Sequence, residues 1–197
     1  MKKKENQRVT LTRRLLKESL LKLMAKKSVQ QITVSELCQT AEINRSTFYN
    51  HYGCPADVLL DIEKGVVADL EFLWHRESET LNWLLNERVE AVCNYLLEHK
   101  DLAKLLLRNS DTSFGFASLI INSSQIRTIY EQVLSHANNQ DSAELIITFL
   151  ANGSYYMIRQ WILEDIPKTP KEMGELVYRL ATQGWEKTSD STPVFKK

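Results

Sequence analysis

Ile43-Asn44-Arg45-Ser46-Thr47-Phe48-Tyr49-Asn50-His51-Tyr52 decides the reading of this chain, because it sets an apolar anchor and a dense polar face on one short helix. Asn44 is placed to cap that helix by accepting from the backbone N–H of Ser46 or Thr47. Phe48 and Tyr52 stand four residues apart and share the face that docks on a core. Arg45, Ser46, Thr47, Tyr49, Asn50 and His51 occupy the rest, with a guanidinium fork, two hydroxyls, a phenol, an amide and an imidazole. These are the groups that pair with base edges and phosphates in a major groove.

Working outward, Thr33-Val34-Ser35-Glu36 has the spacing of a capping box and opens a helix whose inward stripe is Val34, Leu37, Cys38 and Ala41. The turn Ala41-Glu42-Ile43-Asn44 joins it to the first stretch, which gives the geometry of a helix-turn-helix. Glu42 falls where such turns call for a positive φ, a conformation that costs a non-glycine residue roughly 1 kcal/mol. Upstream, Leu16, Leu20, Leu23 and Met24 recur at helical intervals between Thr12 and Lys27, so a further helix covers the pair.

From Thr12 to Leu60 the sequence resembles the N-terminal signature of the tetracycline-repressor-like (TetR/AcrR) transcriptional regulators. Thr12, Leu16, Leu20, Leu23 and Met24 match it, as do Ile32-Thr33-Val34, Leu37, Asn44, Thr47, Phe48, Tyr49, His51 and Tyr52. The resemblance implies an all-α protein with a three-helix DNA-binding head and a larger helical ligand-binding and dimerisation domain. It implies DNA contacts from Thr33, Val34 and Ser35, from Arg45, Ser46 and Thr47, and from Tyr49, Asn50 and His51. Three positions depart from the pattern: Ser28 and Glu42 replace glycines, and Pro55 replaces a lysine that opens the fourth helix and meets a phosphate.

Charge agrees with that division. The chain holds 25 basic and 25 acidic residues, but residues 1–52 carry 11 Lys or Arg against 4 Asp or Glu, or +7, leaving −7 for the remainder. A basic head on an acidic body suits a partner rich in phosphate. Domains are expected at 1–53 and 54–197, with a rigid fourth helix from Pro55 through Val58, Leu59, Ile62, Val66 and Leu70 towards Trp74. Met1 to Arg8 lacks apolar periodicity and reads as a flexible basic arm, either reaching phosphate and an adjacent minor groove or simply solubilising.

The body reads as helical throughout, with helices expected over Leu81–His99, Asp101–Arg108, Phe114–Ala137, 145–164 and 170–186. The segment Leu145–Ile158 is apolar nearly all round, so it is expected to bury two sides, one on its own core and one on a partner chain. Asn152, Gly153 and Ser154 interrupt it and Arg159, Gln160, Glu164 and Asp165 follow, which argues against a membrane span. A homodimer is expected through Phe149, Gly153, Tyr156, Gln160, Met173, Leu176, Val177 and Leu180. Trp83, Phe116, Tyr130, Tyr155 and Arg159 are candidates for an effector pocket, although aromatic residues at helical spacing more often form core. Residues 140–186 resemble a branch of the same family related to dihydroxyacetone-kinase control. Some of its members grip a partner protein instead of a free metabolite.

Chemistry-bearing motifs are sparse. Cys38, Cys54 and Cys93 are odd in number and far apart, which suits a reducing cytoplasm, and the four histidines do not fall at metal-ligand spacing. No nucleophile elbow, phosphate loop or dinucleotide turn occurs, so no enzyme, metal or cofactor is expected, and the N-terminus is too polar for a signal peptide. The expectation is a DNA-binding regulator, commonly a repressor modulated by a ligand, that recognises a two-fold operator. The alternative is a protein-interaction module on the same fold.

Overall fold

A computed structural model describes residues 2–77, 85–109 and 140–189 of the 197. Every regular element among them is helical: α1 Lys2–Met24, a 3-10 turn Val29–Gln31, α2 Val34–Ala41, α3 Arg45–Tyr49, α4 Pro55–Glu77, α5 Leu85–Glu98, α6 Lys100–Asn109, α7 Gln140–Leu163 and α8 Pro170–Ser189. The chain divides into two compact units: among the described residues 2–67 and 104–109 form the first, and 68–77, 85–103 and 140–189 form the second, so the divisions fall inside α4 and α6. The expected helix over 114–137 lies outside the described residues.

The first unit is organised by the apolar stripes. Leu16, Leu20 and Met24 of α1 are buried together with Leu37, Cys38 and Ala41 of α2, Phe48 of α3, Tyr52, and Val58 and Leu59 of α4. The α1 helix begins at Lys2, ten residues before the expected start, so the arm is helical. The physical reason is that Lys, Glu, Gln and Arg are good helix formers whether or not they are buried, and apolar periodicity reports only burial.

In the second unit α8 packs along α5, and both meet α7. The approach is close: a Cβ placed on Gly174 would run into the backbone carbonyl of Asn86 and lie 3.2 Å from the amide of Glu90. Leu150 and Ala151 of α7 pack with Ala181 of α8 and with Ile146 and Ile147. The turn between α7 and α8 is pinned by Trp161, whose indole Nε1 donates to the Lys168 carbonyl at 3.0 Å. It also holds Asp165 at φ 51°, and Lys100 pairs with that carboxylate at 2.6 Å. Thr169 and Glu172 then form the expected box in full: Glu172 N donates to Thr169 Oγ1 at 3.2 Å, and Thr169 N donates to Glu172 Oε2 at 2.7 Å. The backbone N–H and then the hydroxyl of Thr169 hold the Glu172 carboxyl below the usual range.

Candidate nucleic-acid interface

Local chemistry sets the shape of the two short helices. Thr33 caps α2 by accepting from Glu36 N at 3.2 Å. The return half of the expected box is not made, because Lys27 takes the Glu36 carboxylate at 2.6 Å. At the other end Glu42 sits in the left-handed region at φ 55°, ψ 38°, as the turn requires, and its N–H closes back on α2. Asn44 caps α3 through Ser46 N at 3.0 Å, and its Oδ1 also accepts from the Ser46 hydroxyl at 3.1 Å.

The α3 helix has only five residues, so it cannot hold its own direction and depends on side-chain anchors. Phe48 is one anchor and is fully buried, packed edge-on to Tyr49 and tilted against Tyr52. The second anchor is polar. The Tyr52 hydroxyl donates to Asp61 Oδ2 at 2.6 Å and accepts from Arg13 Nε at 3.1 Å. The same Asp61 oxygen receives Arg13 Nη2 at 3.1 Å and Lys17 Nζ at 3.0 Å. Burial pushes the Asp61 carboxyl up, but the Tyr52 hydroxyl, Lys17 and Arg13 together outweigh it and leave it below the usual range. The hydrogen bond to Tyr52 raises the Arg13 guanidinium.

With both anchors inward, the remaining groups face solvent. Arg45, Ser46, Asn50 and Tyr49 are exposed, Tyr49 at 59%, while Thr47 and His51 are half-buried. Thr33 and Ser35 are exposed at the start of α2, and Val34 is half-buried. The nine residues expected at the interface therefore all lie in one unit: Thr33 caps α2 ahead of Val34 and Ser35, Arg45, Ser46, Thr47 and Tyr49 are on α3, and Asn50 and His51 follow its end. The Ser46 hydroxyl is already donating to the cap, so an approaching phosphate would have to compete with Asn44 for it. The Cys38 thiol is pushed up by burial, against the downward pull of the Arg45 guanidinium near it.

Sequence reasoning missed Arg13, Lys17 and Asp61. A buried tyrosine hydroxyl needs a partner, which was the available signal, but nothing local says which residue supplies it. It also missed Asp57, whose Oδ2 accepts from Gly53 N at 2.8 Å and Cys54 N at 3.0 Å. A carboxylate of the chain thus fills the amide cradle at the start of α4, beside the Pro55 that stands in place of a cation.

The body's candidates fare differently. Trp83, Phe116 and Tyr130 lie outside the described residues, whereas Tyr155 is buried and Arg159 half-buried on α7. Met173 and Val177 are buried within a single chain, so burial in the chain's own core takes them from the expected partner-facing set. Phe149, Tyr156 and Leu180 are exposed, at 75%, 51% and 53%, and Gly153 and Gln160 are exposed on the same face of α7 as Phe149. Leu176 is half-buried. Among the described residues no group of three or more His, Cys, Asp or Glu could hold a metal ion, and no helix is long and apolar enough to cross a membrane.

Comparison with known proteins adds to this geometry. The C-terminal region of TetR-type transcriptional regulators matches residues 85–183. YxbF of Bacillus subtilis (strain 168), an uncharacterised HTH-type transcriptional regulator, is 21% identical over 173 residues. That alignment takes in 85% of this chain but 44% of the relative, so the chain spans less than half its length. Among solved structures, the dihydroxyacetone kinase operon activator DhaS superposes with a TM-score of 0.56 at 16% identity, covering 89% of this chain and 96% of that one. The fatty acid degradation regulator FadR from Bacillus halodurans gives 0.58 at 14%, covering 88% and 95%. At such identities the likeness is one of fold.

Proposed function

Because the chain belongs to the TetR-type transcriptional regulators, we propose that it binds double-stranded DNA in a sequence-specific way as a homodimer and regulates transcription from that site. The observation that carries the reading is the exposed polar face of α3, held outward by a buried Phe48. In this reading Arg45 and Thr47 meet base edges, Tyr49 and His51 clamp phosphates, Ser46 and Asn50 add hydrogen bonds, and Thr33, Val34 and Ser35 bring the start of α2 to the backbone. Residues 1–53 act as the reading head and 54–197 as the regulatory and dimerising body, in the cytoplasm.

Dimerisation runs through the outer face of α7, where Leu145, Phe149 and Tyr156 stand in solvent with Gly153 and Gln160 between and after them, and through Leu180 and Leu176 of α8. Apolar side chains that exposed, four and seven residues apart on one helical face, are an interface in search of its other half. Repression by occupying the operator is the simplest outcome, with an effector held in the body near Tyr155 and Arg159 shifting the population of DNA-competent dimers. A second reading has the same apolar face grip a different protein. It is favoured by Glu42 and Asp57, two carboxylates that flank α3 and oppose phosphate.

Selection from a pool of random duplexes tests the proposal. Enrichment of a two-fold symmetric site with half-sites roughly 34–36 Å apart, or a multiple of that, is expected. A pool with no enriched sequence would overturn it in favour of the protein-binding reading.

A further inference from the structure

We infer that Asp61 is a positioning residue for the reading helix: by holding the Tyr52 hydroxyl against α1, it sets the direction in which α3 presents Arg45. This rests on the DNA-binding reading and deepens it. One carboxylate oxygen of Asp61 gathers three donors from two segments, namely Tyr52 just after α3 and Arg13 and Lys17 of α1, while Asp61 itself belongs to α4. Lys17 Nζ also donates to the Asp61 carbonyl at 3.2 Å, so the cation grips backbone as well as side chain. The Arg13 guanidinium lies 5.6 Å from the centre of the Tyr52 ring and closes the cluster from above.

The arrangement leaves the Tyr52 hydroxyl saturated, donating once and accepting once, so the ring has one orientation. Tyr52 N is in turn bonded to Phe48 O at 3.0 Å, and Asn50 N to Ser46 O at 3.3 Å, which passes that orientation directly into the last turn of α3. A five-residue helix has no length with which to average out a loose end. Losing the polar anchor therefore costs direction before it costs fold, since Phe48 stays buried. Arg13 and Lys17, two of the head's cations, are occupied here and are not free for phosphate.

The test compares wild type with Asp61→Asn, Tyr52→Phe and the double variant, measuring affinity for the selected duplex and for random duplex at temperatures well below unfolding. The ratio of the two is expected to fall at least tenfold in each single variant and no further in the double, because both break one coupling. Affinity for random duplex should stay within about twofold, since phosphate contacts need less exact placement. Amide exchange in the free protein supplies a reading without DNA: Asn50, His51 and Tyr52 should exchange faster in Asp61→Asn while the amides of Leu16 and Leu20 do not. A drop in Tm with an unchanged duplex ratio and unchanged exchange at those three amides would reduce Asp61 to ordinary structural support and sink the inference alone. A wild-type protein that prefers no duplex would sink the DNA-binding reading, and the inference with it.

Discussion

Among the described residues α3 and α7 each bury one face and leave the other in solvent, yet they do so by opposite means. The five residues of α3 turn a polar face outward and are held by an amide cap, one buried ring and an ion-paired tyrosine. The 24 residues of α7 turn Leu145, Phe149 and Tyr156 outward and are held by Leu150, Ala151, Trp161 and Ile162 on the inner side. Asn152 on α7 is satisfied along the helix itself, donating to the Thr148 carbonyl at 2.8 Å. One surface is therefore rich in unspent donors and the other in unspent apolar area, and the two suit different partners.

The contrast breaks most visibly at Phe149. A carboxylate there would sit in water on a monomer but would be buried and unpaired between two copies. Phe149→Asp should leave Tm within a few degrees and weaken self-association by at least 100-fold, about 3 kcal/mol. Sedimentation equilibrium over a range of concentrations reads this, and unchanged association would remove the outer face of α7 from the dimer.

Next in size is the packing behind that face. Adding a methyl group at Gly174 forces α8 away from the Asn86 carbonyl, so Gly174→Ala should cost about 2 kcal/mol and lower Tm by roughly 4–8 °C. If calorimetry finds no change, the close approach of α5 and α8 is not as described.

The head offers a smaller change of the opposite sign. Glu42→Gly relieves a left-handed backbone and removes a carboxylate beside α3. Stability should rise by less than about 1 kcal/mol, because glycine's own entropy offsets part of the gain. Affinity for DNA should rise too, with the gain shrinking as salt is added. Chemical denaturation and anisotropy check the two halves, and a loss of stability would show that Glu42 makes contacts worth more than its strain.

The smallest effect is with pH. The folded head holds Asp61 below its ordinary pKa, so its contribution is present above that ordinary value, about 3.9, and is lost as pH falls towards the depressed one. Below about pH 4 the wild type should lose stability faster than Asp61→Asn does. Parallel acid-unfolding curves would contradict this.

What was legible in the sequence was local. The Asn44 cap, the Phe48 and Tyr52 anchors, the positive φ at Glu42, the proline start of α4 and the Thr169 box each follow from residues within a turn of one another. What was not legible depended on competition between distant residues. Glu36 has the spacing to close a box with Thr33, but Lys27 claims its carboxylate. Tyr52 declares that it needs a partner, and the answer comes from Arg13, 39 residues away. Likewise Met173, Leu176, Val177 and Leu180 share one helical stripe by period alone, and only the packing separates buried Met173 and Val177 from exposed Leu180.

Sequence-specific binding through α3 is read by fluorescence anisotropy, with wild-type protein and Arg45→Ala titrated on the selected duplex and on random duplex over a series of salt concentrations. Wild type is expected to prefer its site and to lose affinity steeply with salt. Arg45→Ala should give up about 1–3 kcal/mol of that preference while keeping most of its affinity for random DNA. Equal binding to both duplexes by wild type, or a preference untouched by Arg45→Ala, would contradict it.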